Sequence, residues 1–322
     1  MKSATVFLTT AALVCAAPLA RASDYPSKPI TLMIGFAPGG PSDVMARILT
    51  KKMEEILKQP LVIENRAGAG GSIAGAAVAR AAPDGYTVLL ATGSLLAINV
   101  SLYKNIGYDP EKDFEPISLV GTQTNVLYAH PSLPATSLAE LIAYAKANPG
   151  KLSFGSGGNG TPAHLAGELL KLQAKIDITH VPFRGTGPAL QAVIGGHVPM
   201  AFNPPSPLIP HIQSGTIRAL AITTLKRTAA LPDVPTVAES GFPGFEATTW
   251  HALVAPAGTP KDVIATLHRA TAATVNDPSA RKALTELGVE VVGGTPEELR
   301  AYVTAEIPKW AEVVRASGAK VD

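Results

Sequence analysis

Two glycine-rich stretches hold the residues of this chain most able to do chemistry. One runs Ile34-Gly35-Phe36-Ala37-Pro38-Gly39-Gly40-Pro41-Ser42-Asp43, the other Ser153-Phe154-Gly155-Ser156-Gly157-Gly158-Asn159-Gly160-Thr161-Pro162. Each follows an apolar run and precedes a helical pattern, so each reads as a strand–loop–helix junction. A helix N-terminus exposes unpaired backbone N–H groups and about half a positive charge. Glycines let a loop backbone approach a ligand closely, and such a junction can hold an anion. Ser42 or Asp43 is expected to cap the first helix, and Thr161 the second, with Pro162 in its first position. A plain tight turn of an α/β sheet has the same sequence. Two such loops in separate blocks favour a ligand, because open α/β sheets bind ligands at the carboxyl ends of their strands.

The second loop contains G-x-G-x-x-G at Gly155, Gly157 and Gly160, which is the dinucleotide fingerprint by pattern. The acid that would hold a ribose should end the next strand, about 20 residues on. Asp177 is near but stands at the start of that strand, which argues against a nucleotide. No G-x-K-[ST] tail follows either loop, and neither G-x-S-x-G nor H-E-x-x-H occurs. The seven histidines (His130, His164, His180, His197, His211, His251 and His268) show no metal-ligand spacing. His164, in the first turn after the second loop, either faces a ligand or packs and caps its helix. Asp43 and Arg47 stand four apart and are expected to pair with each other. Arg184 ends a strand in a third glycine loop, Phe183-Arg184-Gly185-Thr186-Gly187. Its guanidinium can fork onto a carboxylate or point to solvent, with the Gly185–Gly187 backbone favoured as the contact.

The elements that must position these loops alternate short apolar runs with longer helical patterns, the signature of α/β architecture. The first block reads as a strand over Ile30–Phe36, a helix over Ser42–Leu57, a strand over Leu61–Glu64, a helix over Ile73–Ala82 and a strand over Tyr86–Thr92. Two close runs, Ile117–Val120 and Val126–Ala129, read as chain leaving one domain for another. The second block alternates a helix over Ser137–Asn148, a strand over Lys151–Phe154, a helix over Ala163–Leu172 and a strand over Ile176–Phe183. A helix over Pro188–Ile194 and strands over Val198–Phe202 and Arg218–Thr223 complete it. Leu231–Phe245, rich in Pro and Gly, is expected to be irregular linker. A strand over Thr248–Val254 and helices over Lys261–Val275, Pro278–Leu287 and Pro296–Ala316 finish the chain.

Composition bounds the reading. With 322 residues, 46% hydrophobic and 16% charged, the chain has room for two ordered domains. A formal charge of +2 and 5% aromatic residues give no footprint for nucleic acid. Lys2, an uncharged stretch from Ala4 to Ala17, and Ala20-Arg21-Ala22 read as a secretory signal peptide over residues 1–22, cleaved between Ala22 and Ser23. Its removal would take Lys2 and Arg21 from the 27 bases, leaving 25 against 25 acids and a net charge of zero. The single cysteine, Cys15, would leave with it.

Phe36-Ala37-Pro38-Gly39-Gly40 with Asp43 and Ala46-Arg47 resembles the opening motif of the Bug receptors. These are the extracytoplasmic solute-binding proteins of the tripartite tricarboxylate transporters. Val62-Ile63-Glu64-Asn65-Arg66, Ala82-Pro83-Asp84-Gly85-Tyr86, Val181-Pro182-Phe183-Arg184-Gly185, Leu220-Ala221-Ile222-Thr223 and Ala255-Pro256-Ala257-Gly258-Thr259-Pro260 continue the likeness over nearly the whole chain. The resemblance implies an α/β fold, a two-domain clam of periplasmic-binding-protein, type II-like topology with its ligand cleft between Rossmann-like domains joined by two crossovers. Residues 23–121 and 228–322 would form one domain and 122–227 the other. It further implies a periplasmic monomer without cofactor that hands a small organic carboxylate (a di- or tricarboxylate or aromatic acid) to the membrane components of a transporter. A receptor for a membrane signalling partner, or an exported α/β enzyme, are the alternatives. Carried over, ligand contacts fall at Phe36, Ala37, Gly39, Gly40 and Ser94 in the first domain. In the second they fall at Ser156, Gly157, Thr161, His164, Arg184, Gly185, Thr186 and Asn203. The family often shows Phe-Asp where this chain has Phe202-Asn203, and losing that carboxylate argues against an amino-acid ligand.

Overall fold

The computed structural model describes residues 25–319, so the expected signal peptide, its cleavage point and Cys15 lie outside the described residues. In chain order the elements of the first half are β1 (Ile30–Ile34), α1 (Pro41–Leu57), β2 (Leu61–Asn65), α2 (Ser72–Ala79), β3 (Thr87–Thr92), α3 (Asn99–Leu102), β4 (Phe114–Gln123), β5 (Val126–Ala129), α4 (Leu138–Ala147) and β6 (Leu152–Ser156). They continue as α5 (Pro162–Ala174), β7 (Ile178–Pro182), α6 (Thr186–Ile194), β8 (Met200–Asn203), α7 (Ile209–Gln213), β9 (Arg218–Ile222), β10 (Thr249–Pro256), α8 (Lys261–Asn276), α9 (Pro278–Glu286), β11 (Val289–Val291) and α10 (Pro296–Ser317).

The strands form two sheets, β11-β4-β10-β3-β1-β2 and β7-β6-β8-β5-β9. Each has a parallel set running in from one edge (β2, β1 and β3; β7, β6 and β8), followed by a strand beside a crossover that runs antiparallel, β10 between β3 and β4 and β5 between β8 and β9. Successive strand side chains point to opposite faces, so a sheet covered on both sides must be apolar at every position. In β3, Val88 and Leu90 pack under α1, α8 and α9, whereas Leu89 and Ala91 pack under α2 and α10. In β5, Leu127 and Ala129 face α4 and α5, and Val126 and Tyr128 face α6. Helix α1 buries Met45, Leu49, Met53 and Leu57, one stripe at a spacing of four, and Lys58 ends it in the left-handed region at φ 56°. Gly167 of α5 sits against the Phe154 ring, where a side-chain carbon would collide, so that helix lies close on its sheet.

The two-domain clam is therefore present as two lobes, one per sheet. The chain passes between sheets after Gln123 and again between Ile222 and Thr249. The expected linker over 231–245 is irregular, yet it is docked: Leu231 and Val234 join the apolar cluster of Tyr128 and Ile222, and Thr236 bridges to Ile222. The expected boundary at 227/228 lies just before this docked stretch, after β9 has ended at Ile222. The two crossovers are bonded to each other. Asn125 N donates to Thr223 Oγ1 (2.9 Å), Thr223 N to Asn125 O (3.0 Å), and Thr223 Oγ1 to Ala247 O (2.8 Å). Thr224 Oγ1 reaches Thr124 Oγ1 at 3.3 Å.

Several elements differ from the sequence reading. Strand β1 stops at Ile34 because Gly35 and Phe36 already turn into the loop. Ser94–Ile98 forms one π-helical turn, wholly buried, that leads into α3. Strand β4 is longer than expected, and β11 had no sequence counterpart. Helix α10 packs on β4 and reaches across to α5 of the other lobe. Its Glu306, 4% exposed, accepts from the indoles of Trp310 (2.7 Å) and Trp250 (3.2 Å) on one oxygen and from Lys309 Nζ (2.6 Å) on the other.

Candidate functional site

The carboxyl ends of the parallel strands in both sheets face each other across a cavity of about 660 Å³. Eleven of the expected ligand residues line it: Phe36, Ala37, Gly39, Gly40 and Ser94 from one lobe, Gly157, Thr161, Arg184, Gly185, Thr186 and Asn203 from the other. Ser156 and His164 do not. Both stand behind the second loop as its supports, because each is drawn to buried partners within its own lobe.

The first loop is braced from below. Asp43, 2% exposed, accepts from Gly39 N (3.0 Å), Arg47 Nε (2.9 Å) and Asn65 Nδ2 (3.2 Å), and Asn65 also donates to Phe36 O. The Arg47 guanidinium and the Gly39 amide hold the Asp43 carboxyl below its ordinary range. The expected Asp43–Arg47 pair is present, but neither Ser42 nor Asp43 caps α1. Gly40 occupies that position without any side-chain cap, and Pro41 follows at the first helical residue. The amides of Ser42 and Asp43 therefore have no intrahelical acceptor, as at any uncapped helix start. Gly39 turns the loop at φ +80°, a conformation that L side chains rarely adopt.

In the second loop Thr161 caps α5 as expected, accepting from His164 N (3.2 Å) and donating to Gly158 O (2.8 Å). The His164 ring turns back and accepts from Gly160 N at 3.1 Å. It stacks on His180 with ring centroids 3.8 Å apart, and His180 Nε2 lies 2.7 Å from Ser156 Oγ. Gly185 stands at the N-cap of α6, again with no side-chain cap. Gly185 N donates to Gly157 O (3.1 Å), which joins the second and third loops.

Sequence reasoning missed the floor of the first lobe. Thr92 and His251, partners in register on β3 and β10, both line the cavity. His251 is 2% exposed, and its Nε2 lies 3.0 Å from Ser42 Oγ. Their only trace in the sequence is a polar residue at the end of an apolar run. Nothing local ties His251 to Ser42, 209 residues away.

The electrostatics are those of dipoles. No Asp, Glu or Lys lines the cavity; Arg184 is the one guanidinium, exposed and without an ion-pair partner among the described residues. Burial pushes His251 down to about 4 and His164 to about 4, and burial with the neighbouring His164 and Lys171 pushes His180 to about 3. All three are neutral at pH 7. In the unfolded chain they titrate near 6.5, so below that the unfolded state binds more protons. Stability is fully present above pH 6.5 and falls as pH drops through 4, by up to about 1.4 kcal/mol per pH unit for each ring. Glu168 and Glu246, raised by burial, oppose part of this slope. The expected result is a Tm that declines between pH 7 and 4.5. A flat Tm over that range would refute the account of three neutral buried rings. No group of three or more metal-ligating side chains occurs among the described residues.

A family model described as the tripartite tricarboxylate transporter family receptor matches residues 45–319. The chain belongs to this receptor family. A curated relative, Protein BugT of Bordetella pertussis, is 41% identical to the receptor over 317 residues, covering 98% of this chain and 96% of that one. Among solved structures, R. palustris Rpa4515 with adipate superposes with a TM-score of 0.81 at 37% identity, covering 92% of the receptor and 100% of that chain. MatC from Rhodopseudomonas palustris with bound malate gives 0.77 at 36% identity, covering 90% and 100%. Family members are periplasmic receptors that bind solutes for tripartite transport.

Proposed function

We propose that this receptor closes its two lobes on a small organic carboxylate, a di- or tricarboxylate or an aromatic acid, and delivers it to the membrane components of a tripartite transporter. One observation carries the reading: helix starts lacking any side-chain cap, those of α1 and α6, face one cavity from opposite lobes. Each helix dipole contributes roughly 0.3–1 kcal/mol to a bound anion, and each charge-assisted hydrogen bond about 1.5–3 kcal/mol. A few of these, less the cost of ordering and association, support micromolar binding at about −8 kcal/mol. Adipate and malate in the related structures are carboxylates of the size this cavity takes. The protein works as an exported periplasmic monomer, cleaved between Ala22 and Ser23, with 122–227 as its second domain. It performs no turnover on its ligand.

A thermal-shift screen of the protein lacking residues 1–22 against mono-, di- and tricarboxylates, aromatic acids and amino acids tests this. A ligand at 100 times its Kd should add about 2.7 kcal/mol to stability. Stabilisation by no carboxylate, or conversion of a bound one into product, would refute the proposal.

A further inference from the structure

Three buried polar atoms on residues that line the cleft have no hydrogen-bond partner: Thr92 Oγ1, His251 Nδ1 and Asn203 Oδ1. They are not equivalent. A threonine hydroxyl can donate, and His251 Nδ1 carries the proton whenever Ser42 Oγ donates to Nε2, so this pair in the first lobe can serve an ionised carboxylate. Asn203 cannot. Its Nδ2 donates to Tyr128 Oη (2.8 Å) and to the Thr186 carbonyl (3.1 Å). A carbonyl only accepts, so the second bond fixes the amide with nitrogen inward, and Oδ1 is left as a pure acceptor. Asn203 is 1% exposed, and an unpaired acceptor at such depth is unfavourable.

An ionised carboxylate offers only acceptors, so it cannot satisfy Asn203 Oδ1. We infer that Asn203 reads a neutral hydrogen-bond donor on the ligand, a hydroxyl group, and that the receptor prefers hydroxy carboxylates over the same acids without the hydroxyl. An ammonium group is the weaker match, because the cavity has no carboxylate side chain to neutralise it and Arg184 adds a positive charge. The ligand is thereby oriented, with a carboxylate toward Thr92, His251 and the first loop, and the hydroxyl toward Asn203. This inference rests on the cleft being the carboxylate site.

The test uses acids matched in skeleton, malate against succinate and citrate against tricarballylate, with aspartate as the ammonium counterpart, titrated calorimetrically into the signal-free protein. The hydroxylated member of at least one pair should bind about tenfold or more tightly than its partner, since a site built around a hydroxyl rejects the analogue lacking it. In Asn203→Leu that ratio should collapse to about one through loss of the hydroxy acid's advantage, with the plain acid still bound. Equal binding within both pairs, a preference that survives Asn203→Leu, or tightest binding of aspartate would each overturn the inference while leaving the carboxylate site standing. Binding of none of these or any other carboxylate would overturn both. The wild-type comparison decides the matter alone should Asn203→Leu fail to fold.

Discussion

Gly157→Val is expected to abolish ligand-induced thermal stabilisation while the unliganded protein stays folded. Gly157 has an ordinary backbone conformation, so the change introduces no left-handed strain. A side-chain carbon there would stand 3.4 Å from the Gly185 carbonyl carbon and 3.4 Å from the Thr186 amide nitrogen, the start of α6. The valine methyls must then either part the second and third loops, breaking the Gly185–Gly157 bond, or cover the amides that an anion would use. Either outcome removes the gain of about 2.7 kcal/mol expected for the wild type at 100 times Kd. Gly40→Val should act alike from the other lobe, since its added carbon meets only Ala37 O at 3.4 Å and perturbs the fold still less. A full thermal shift in both variants, with the ligand that stabilises the wild type, would rule out the backbone cradle.

Glu306→Ala should cost about 3–5 kcal/mol of unfolding free energy, because a buried polar hub is lost on one side only. Two indole N–H groups in the apolar core would be left without acceptors, at about 1–3 kcal/mol each. Glu306→Gln keeps an acceptor oxygen and is expected to lose less. Urea denaturation followed by tryptophan emission measures both variants directly, since the chain has two tryptophans and this carboxylate holds both. A loss below about 1 kcal/mol for Glu306→Ala would show that water replaces the carboxylate. Trp250 also directly precedes His251, whose ring lines the cleft, on β10.

The loops were legible because their signals are local. Glycine clusters after apolar runs, Thr161-Pro162 at a helix start, and Asp43 four residues before Arg47 each fix a geometry within one turn. The role of His164 was not legible, because a position in a first helical turn leaves the ring direction open. His180, on a neighbouring strand, decides it by stacking. That of Ser156 was not legible either, because its partner His180 stands on another strand. Strand β10 was recognisable as a strand but not as the partner of β3, since it returns only after the whole second lobe has been built. That return brings His251 beside Thr92 and Ser42, and with it the polar floor of the cavity. The docked 231–245 stretch misled for a related reason: proline and glycine describe its irregular backbone but not the apolar contacts of Leu231 and Val234.

The hydroxyl-to-carbonyl stitching of Thr124, Asn125, Thr223 and Ala247 has a mechanical consequence. Two separate connections would let one lobe both bend and shear against the other. Tied together, they are expected to bend as one seam, which favours rotation of the lobes about it over shear.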